Sequence, residues 1–557
     1  MKQRCRDIIQ QGDRLYSARS GLMSLWQEIA EQFYPERADF TTSRALGDDY
    51  ASHLMTGAPA MARRTMADQL AAMLRPRGKE WYSIDFGDPE LMERQAVKDW
   101  ARKRSAIMRN AMYDRAAKFT RATKEAGDDF AAFGQAVLTA EHNPSLNTLL
   151  YRTWHLRDTV WTEDDTGTIN TVHRKWKITA ADMVRRYKDK SPAKVRECLA
   201  KESHREFPCR HIIIPFDEYD YTEGNGLKPH NKFNFMSLMV DVENETVLDE
   251  KPLIDHQYII PRWKTVSGSQ YAHSPATMIA MPDTRMLQRM TFAIIEAGEK
   301  AVTPPLIAIQ EAVRSDIDLR AGGITWTDAE YDERLGEVLR PLTQDKSGLS
   351  FGIDMIQSYE LKIREAFYLD KINLPPMGDA MTATEVRVRT EEYIRAALPL
   401  FEPMEMEYNA PLCEKTADIL LTHGAFGPVA EWPQELSGRE LKFQFTSPLS
   451  EAVKQQDSTV FKQSAELLTV AVQLDPSLKN EFDARKAFRN AMQAIGAPLI
   501  DEKAADEARE GEAQLAELQQ SIAMAGQGAG AAKQVGEAIG ALGGAIDPAM
   551  MGEGQAA

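Results

Sequence analysis

Met381-Thr382-Ala383-Thr384-Glu385-Val386 is the stretch from which the rest of this 557-residue chain can be read. Thr382 and Glu385 have the capping-box spacing, in which a hydroxyl accepts from the N3 amide and a carboxylate reaches back to the cap. A helix is therefore expected to start here and to run at least to Leu398. The segment in front, Lys371-Ile372-Asn373-Leu374-Pro375-Pro376-Met377-Gly378-Asp379, is kept out of helix by its proline pair and its glycine. Before that loop, 352–370 reads as another helix, with Ile353, Ile356, Tyr359, Ile363 and Phe367 on one face. Behind the cap, Pro399, Pro403 and Pro411 are expected to bend a long helix.

Working outward, the amino-terminal part is helical. Leu22, Leu25, Trp26, Ile29 and Phe33 share one helical face, and Pro35 ends it. A second helix carries Ala58, Met61, Ala62, Thr65, Met66, Leu70, Met73 and Leu74, and stops before Pro76 and Gly78. Lys79 to Phe86 alternates as a strand does. Residues 90–140 read as a helical body that includes Trp100, Met108, Met112, Phe130, Phe133 and Ala136-Val137-Leu138. From Leu149 the texture changes to short strands, and 149–265 is expected to be mainly β. Within it, Thr179 caps a helix.

Pro282-Asp283 is read as the start of the next helix, with Asp283 as its N-cap and Met286, Leu287, Met290, Ile294 and Ala297 as its stripe. Pro304-Pro305 ends it, and 306–345 holds short strands around Ile307 and Ile324-Thr325-Trp326. Beyond the bent helix, Leu441 to Phe445 alternates as a strand and 456–525 is helical. The Gly/Ala-rich end, 525–557, lacks aromatics and is expected to be disordered. The fold class is thus α+β, mainly helical.

The balance of 67 basic against 83 acidic residues gives a net charge of -16. A protein that grips nucleic acid by its phosphates is normally basic, so any contact with DNA is expected to be local and weak. Cys5, Cys198, Cys209 and Cys413 are too few and scattered for a disulfide framework, which suggests reduced thiols and a cytoplasmic origin. No secretory signal is expected at the amino terminus, and no stretch approaches the ~18 apolar residues of a membrane span.

Catalytic readings are thin. Asp165-Thr166-Gly167 matches an aspartic-protease triplet, but that chemistry needs two carboxylates sharing a proton and the triplet occurs once. Asp-x-x-Gly is also an ordinary hairpin turn. His204, Cys209 and His211 are spaced closely enough to suggest a zinc site, with Cys198 as a fourth ligand, although scattered His and Cys are the commoner case. A hydrolytic enzyme using Asp165 or the His204/Cys209/His211 group is therefore the alternative reading. A Walker-A loop, His-Glu-x-x-His and Gly-x-Ser-x-Gly are missing from the sequence, and neither a metal nor a cofactor is expected. On the helices, Arg285, Arg289, Lys300, Lys362, Arg364 and Lys371 are either solvated faces with i,i+4 pairs such as Glu296–Lys300 and Glu360–Arg364, or cations facing DNA.

The order helix, Pro/Gly loop, capped and bent helix resembles the phage portal proteins, the head-to-tail connectors of short-tailed, podovirus-type phages. Met-Thr-Ala-Thr-Glu-Val at 381–386 is close to that family's wording, and so are Thr56-Gly57 opening a helix, Trp81-Tyr82, and a strand before Ser447-Pro448-Leu449. The family often has two prolines before the aromatic pair; Arg75-Pro76-Arg77-Gly78 stands there instead. The resemblance implies a wing or body at 1–282, stem helices at 283–302 and 350–371, and a clip at 303–349 between them. It places a tunnel loop at 372–380, a bent helix and return strand at 381–455, and a crown at 456–524. It implies a homo-oligomeric ring, usually twelve subunits, at one capsid vertex of the virion, assembled in the host cytoplasm. Duplex DNA would pass through it in packaging and ejection. The implied partners are terminase, major capsid and scaffold proteins and tail adaptors, with no membrane and no catalysis. Residues 371–379 would face the channel, with Lys362, Arg364 and Lys371 as possible DNA-facing cations; besides the hydrolytic enzyme, the alternative is another minor capsid or scaffold protein.

Overall fold

The computed structural model describes residues 2–219, 233–302, 306–308, 339–341, 347–369, 404–428 and 432–445, apart from 46, 79 and 437, with 464, 465, 487, 488 and 492. The chain divides into two compact units, Met1–Leu449 and Ser450–Ala557. The expected crown belongs to the second and lies almost wholly outside the described residues, as does the Gly/Ala-rich end.

In the first unit, helices α1 (Lys2–Ala18), α2 (Ser20–Phe33) and α3 (Ala58–Leu74) come first. Trp26, Ile29 and Phe33 of α2 and Met66, Leu70 and Leu74 of α3 are buried, as their spacing requires. Met61 and Thr65 are exposed instead, on the side of α3 opposite the buried face that Arg63 shares with Met66, Ala67 and Leu70. Arg63 donates to the Phe33 carbonyl at 3.2 Å, pairs with Asp128 and lies over the Tyr34 ring. β1 (Tyr82–Asp85) follows, then α4 (Pro89–Glu93), α5 (Gln95–Met112) and α6 (Phe119–Phe133). The helical body ends at Gly134, earlier than expected. Val137 opens a strand, β2 (Val137–Asn143), paired antiparallel with β3 (Thr148–Trp154). A short apolar run such as Ala136-Val137-Leu138 does not distinguish helix from strand by periodicity.

The β part is a five-stranded antiparallel sheet of β4 (Thr159–Glu163), β5 (Ile169–Thr179), β6 (Glu206–Pro215), β7 (Phe235–Asp241) and β8 (Thr246–Leu253), in chain order. Between β5 and β6 stand α7 (Ala180–Tyr187) and α8 (Ala193–Lys201), and Thr179 caps α7 by accepting from the Asp182 amide at 3.2 Å. β9 (Tyr258–Ile259) joins β2 in a second sheet. α1 lies on the five-stranded sheet. Cys5 and Ile9 pack with Ile212, Ile214 and Leu238, and Tyr16 donates to the Asp158 and His173 carbonyls.

One continuous core then draws in the far end of the unit. α9 (Pro275–Val302) and α10 (Ser347–Ala366) flank a two-stranded ribbon, β10 (Leu306–Ala308) against β11 (Leu339–Pro341). The expected strand at 324–326 lies outside the described residues. A π-turn, Glu405–Asn409, leads into α11 (Ala410–Thr422). β12 (Lys442–Phe445) closes the unit by pairing antiparallel with β1, Tyr82 opposite Phe445. Trp26, Phe33, Met66, Trp81, Phe130, Tyr151, Leu287, Phe367, Met404 and Tyr408 all belong to that core.

Candidate functional site

The loop–cap stretch from which the reading began is bracketed by described residues. The described chain stops at Leu369 and resumes at Met404, and both are buried in the main core. Lys371, Ile372, Asn373, Leu374, Pro375, Pro376, Met377, Gly378, Asp379, Thr382 and Glu385 lie outside the described residues, with Pro399 and Pro403. The site that can be built is therefore the helix pair that leads into this segment and the turn that receives it.

α9 begins eight residues before the expected start. Pro275 occupies the first helical position, where a missing N–H costs nothing, and Ser274 is the cap, its Oγ 3.5 Å from the Thr277 amide. Pro282 lies inside the helix, and Asp283 is an interior residue. The proline removes one backbone bond and sits at an exposed position. Burial of Ala276, Ala280, Met281, Thr284 and Leu287 holds the turn around it. Side chains anchor this half to the body. Ser274 donates to the Ala131 carbonyl and Thr277 to that of Ala132, at 2.8 and 2.9 Å. Gln288 accepts from the Met55 and Thr56 amides and donates to the Thr56 carbonyl. Arg285 pairs with Glu28. Gly134 makes the approach possible: its φ is +73°, and a Cβ there would stand 2.1 Å from the His273 carbonyl carbon.

α10 runs antiparallel to α9 and returns to the same core. Near its start, Gly352 lies under the tip of Ile294: a Cβ there would stand 2.2 Å from Ile294 Cδ1, and that side chain would have to move. Near its end Ile363, Ala366 and Phe367 are buried, with the Phe367 ring 5.4 Å from that of Phe33. The helix ends at Ala366, before the expected 370. The outer parts of the pair are different. Phe292, Ile295 and Val302 on α9 and Phe351 and Ile353 on α10 are 46% to 82% exposed. Met286 and Ile353, expected in buried stripes, are among the exposed residues. Lys300 pairs with Glu296 at 2.7 Å, the i,i+4 geometry expected. Lys362 and Arg364 are exposed, the Lys362 ammonium 5.1 Å from the Tyr359 ring centre.

On the receiving side, the Ala410 amide bonds to the Glu405 carbonyl five residues back. This π-turn directly precedes Pro411, which has no N–H to continue an ordinary ladder. The sequence placed a bend at Pro411, but the π-turn and its partners were not legible. Arg75 donates to the Asn409 side chain at 3.0 Å and lies over the Tyr408 ring. Arg262 bridges Glu407 and Glu163. The Tyr408 hydroxyl is pushed up by burial and lowered in part by Arg75.

The residues of the hydrolytic alternative are dispersed. Asp165 is exposed in the β4–β5 hairpin, where Asp164 organises the turn by accepting from the Thr166 and Thr168 amides. Hydrogen bonds from the Thr166 hydroxyl and the Thr168 amide hold the Asp164 carboxyl below its ordinary range. His204 is exposed. Cys209 is packed among Met183, Val195, Phe207 and Leu248, and burial pushes its thiol up to about 12. His211 is spent on Tyr258 Oη at 2.6 Å and Ser237 Oγ at 2.9 Å, and burial holds it well below the usual histidine range. Among the described residues, none of the His, Cys, Asp and Glu side chains form a group of three or more placed to hold a metal ion. Nor is any described helix long and apolar enough to cross a membrane.

Residues 6–499 match the family described as bacteriophage head to tail connecting protein. The chain belongs to that family. It is similar to the "Probable portal protein" of Bordetella phage BPP-1, with 26% identity over 483 residues, 86% of this chain and 85% of that one. It is also similar to the "Portal protein" of Salmonella phage epsilon15, 20% identical over 542 residues, 95% of each chain. This connector is thus related over nearly its whole length to proteins named for a portal, and its mixed helix-and-sheet body agrees with the α+β class expected from the sequence.

Proposed function

We propose that this connector is a portal subunit of a short-tailed phage. Copies form a closed ring, of about twelve on the family resemblance, at one capsid vertex, and duplex DNA passes through the ring during packaging and ejection. α9 and α10 are the stem and β10–β11 part of the clip. Residues 371–379 narrow the channel, with Lys362, Arg364 and Lys371 facing DNA. Terminase, capsid and scaffold proteins and tail adaptors dock on the ring, which itself performs no catalysis. The net charge of -16 makes the wall mostly repulsive to phosphates, so that DNA slides.

The observation that carries the reading is the outer half of the α9/α10 pair. In a member of this family it presents Phe292, Ile295, Phe351 and Ile353 to solvent in the single chain. Apolar faces of this kind are covered by neighbours in a closed ring. Sedimentation of the purified protein with negative-stain imaging tests it. A ring with a central channel is expected; monomer or dimer alone at micromolar concentration overturns it. Deleting 374–378 is expected to leave ring formation intact and to reduce retention of DNA in filled heads.

A further inference from the structure

The excursion between β5 and β6 carries a charge opposite to that of the molecule. From 185 to 196 it holds Arg185, Arg186, Lys188, Lys190, Lys194 and Arg196 against Asp189 alone, in a chain of net charge -16. All six cations are exposed. Elsewhere in this acidic protein surface cations commonly find carboxylates: Arg94 with Glu435, Arg121 with Glu125, Arg285 with Glu28. Here Arg185 pairs with Asp182, and Lys190 lies 3.6 Å from Asp249. Lys188, Lys194 and Arg196 have no carboxylate partner among the described residues.

The platform beneath these side chains is firm. Met183, Tyr187 and Val195 are buried against Phe207 and Leu248, and Ser191 donates to the Met183 carbonyl at 3.2 Å. α8, nine residues long, spans roughly 14 Å at the helical rise. Duplex DNA presents one phosphate charge per about 1.7 Å of axis, so several phosphates fit within that reach. The patch lacks what a protein partner would need. Protein interfaces are anchored by a desolvated apolar or aromatic centre, and Leu199 is the only large apolar residue exposed among the described residues of α7 and α8. A phosphate backbone is recognised by charge alone, with no apolar centre.

We propose that the α7–α8 excursion is a contact surface for the phosphate backbone of duplex DNA, without base readout and separate from any contact made by α9 and α10. The inference does not depend on ring formation. The test is fluorescence anisotropy of the full-length protein with a labelled duplex of about 30 base pairs, from roughly 50 to 200 mM salt. Binding is expected at low salt and is expected to fall steeply as salt rises. The triple variant Lys188→Gln, Lys194→Gln, Arg196→Gln should bind at least about tenfold more weakly at low salt. It should also flatten the salt slope by about three, one for each cation withdrawn from a phosphate. A control variant on α5, Lys98→Gln with Lys103→Gln, both exposed, should keep the wild-type slope, and the melting temperature of each variant is checked alongside. Absence of binding at 50 mM overturns the proposal, and so does an unchanged slope in the folded triple variant. Competition by a polyglutamate peptide as effective as unlabelled duplex of equal charge would overturn it in favour of an acidic protein. A monomer that binds DNA through this patch would sink the ring reading and leave this one standing.

Discussion

From Pro275 to Leu287, α9 buries a side chain at nearly every turn and is tied to the body by Ser274, Thr277, Arg285 and Gln288; from Phe292 to Val302 it exposes Phe292, Ile295 and Val302. The helix is continuous, so propensity does not separate the halves. Its 28 residues extend about 42 Å at 1.5 Å per residue, and its buried residues end at Leu287. The inner half is stabilised by its own chain. The outer half packs on α10 through contacts such as Ile294 against Gly352. The inner half therefore reports on folding and the outer half on association.

The largest expected effect lies at the root of the inner half. Gly134→Ala places a Cβ 2.1 Å from the His273 backbone at a positive φ, and neither atom belongs to a flexible side chain. A loss of at least ~3 kcal/mol is expected, from strain and forced backbone movement together. Soluble yield and the denaturation midpoint measure it; a near-wild-type midpoint would mean that α9 does not dock as described.

Next in size is a matched pair on α9 itself. Leu287→Ala removes a fully buried side chain and should cost about 2–5 kcal/mol. Phe292→Ala with Ile295→Ala should stay within about 1 kcal/mol for the single chain while weakening assembly. Chemical denaturation and sedimentation, run on both, separate the two roles. Equal destabilisation would erase the distinction between the halves.

Acid should divide the molecule along a related line. His173, His211 and His256 are buried in the sheet region, and α9 and α10 contain no histidine. Burial, aided by the charge of Arg210, holds His173 down to about 3; burial and Lys415 hold His256 down to about 4; burial and Arg174 keep His211 well below its ordinary value. The folded state thus keeps these rings neutral while the unfolded chain takes up protons below about pH 6.5. Stability contributed by neutral histidine is complete above pH 6.5 and is lost as the pH falls toward the folded values. At pH 5 that is ~2 kcal/mol each for His173 and His256. Hydrogen exchange across pH 5 to 7 should show β5 and β6 opening before the inner half of α9. Uniform loosening would refute the assignment.

The smallest effect is expected at Gly298, in the outer half. A Cβ there meets nothing within 4 Å. Gly298→Ala should therefore stabilise the helix by about 0.5–1 kcal/mol through propensity, a small rise in melting temperature. A loss instead would place a close neighbour at this position in the assembled protein.

The sequence by itself determined part of the body, while α1 and β8 were not read from it. α2 and α3 are where the stripes of Trp26 and Met66 put them, and the five-stranded sheet falls within the expected β region 149–265, because burial of one face is a local pattern. It also carried enough family wording to place the chain among the head-to-tail connectors. Tertiary structure decided the rest. Pro282 reads as a stop because proline removes a hydrogen bond, yet burial of Met281, Thr284 and Leu287 outweighs that loss. Val137-Leu138 became strand because Trp154, Thr153 and Ile259 supply a ladder that no local window contains. The pairing of Tyr82 with Phe445, the Arg75 clamp on the π-turn and the sequestering of His211 by Tyr258 join residues far apart in the chain. Such contacts are chosen by which surfaces the folded chain brings together, and a linear pattern holds no record of that.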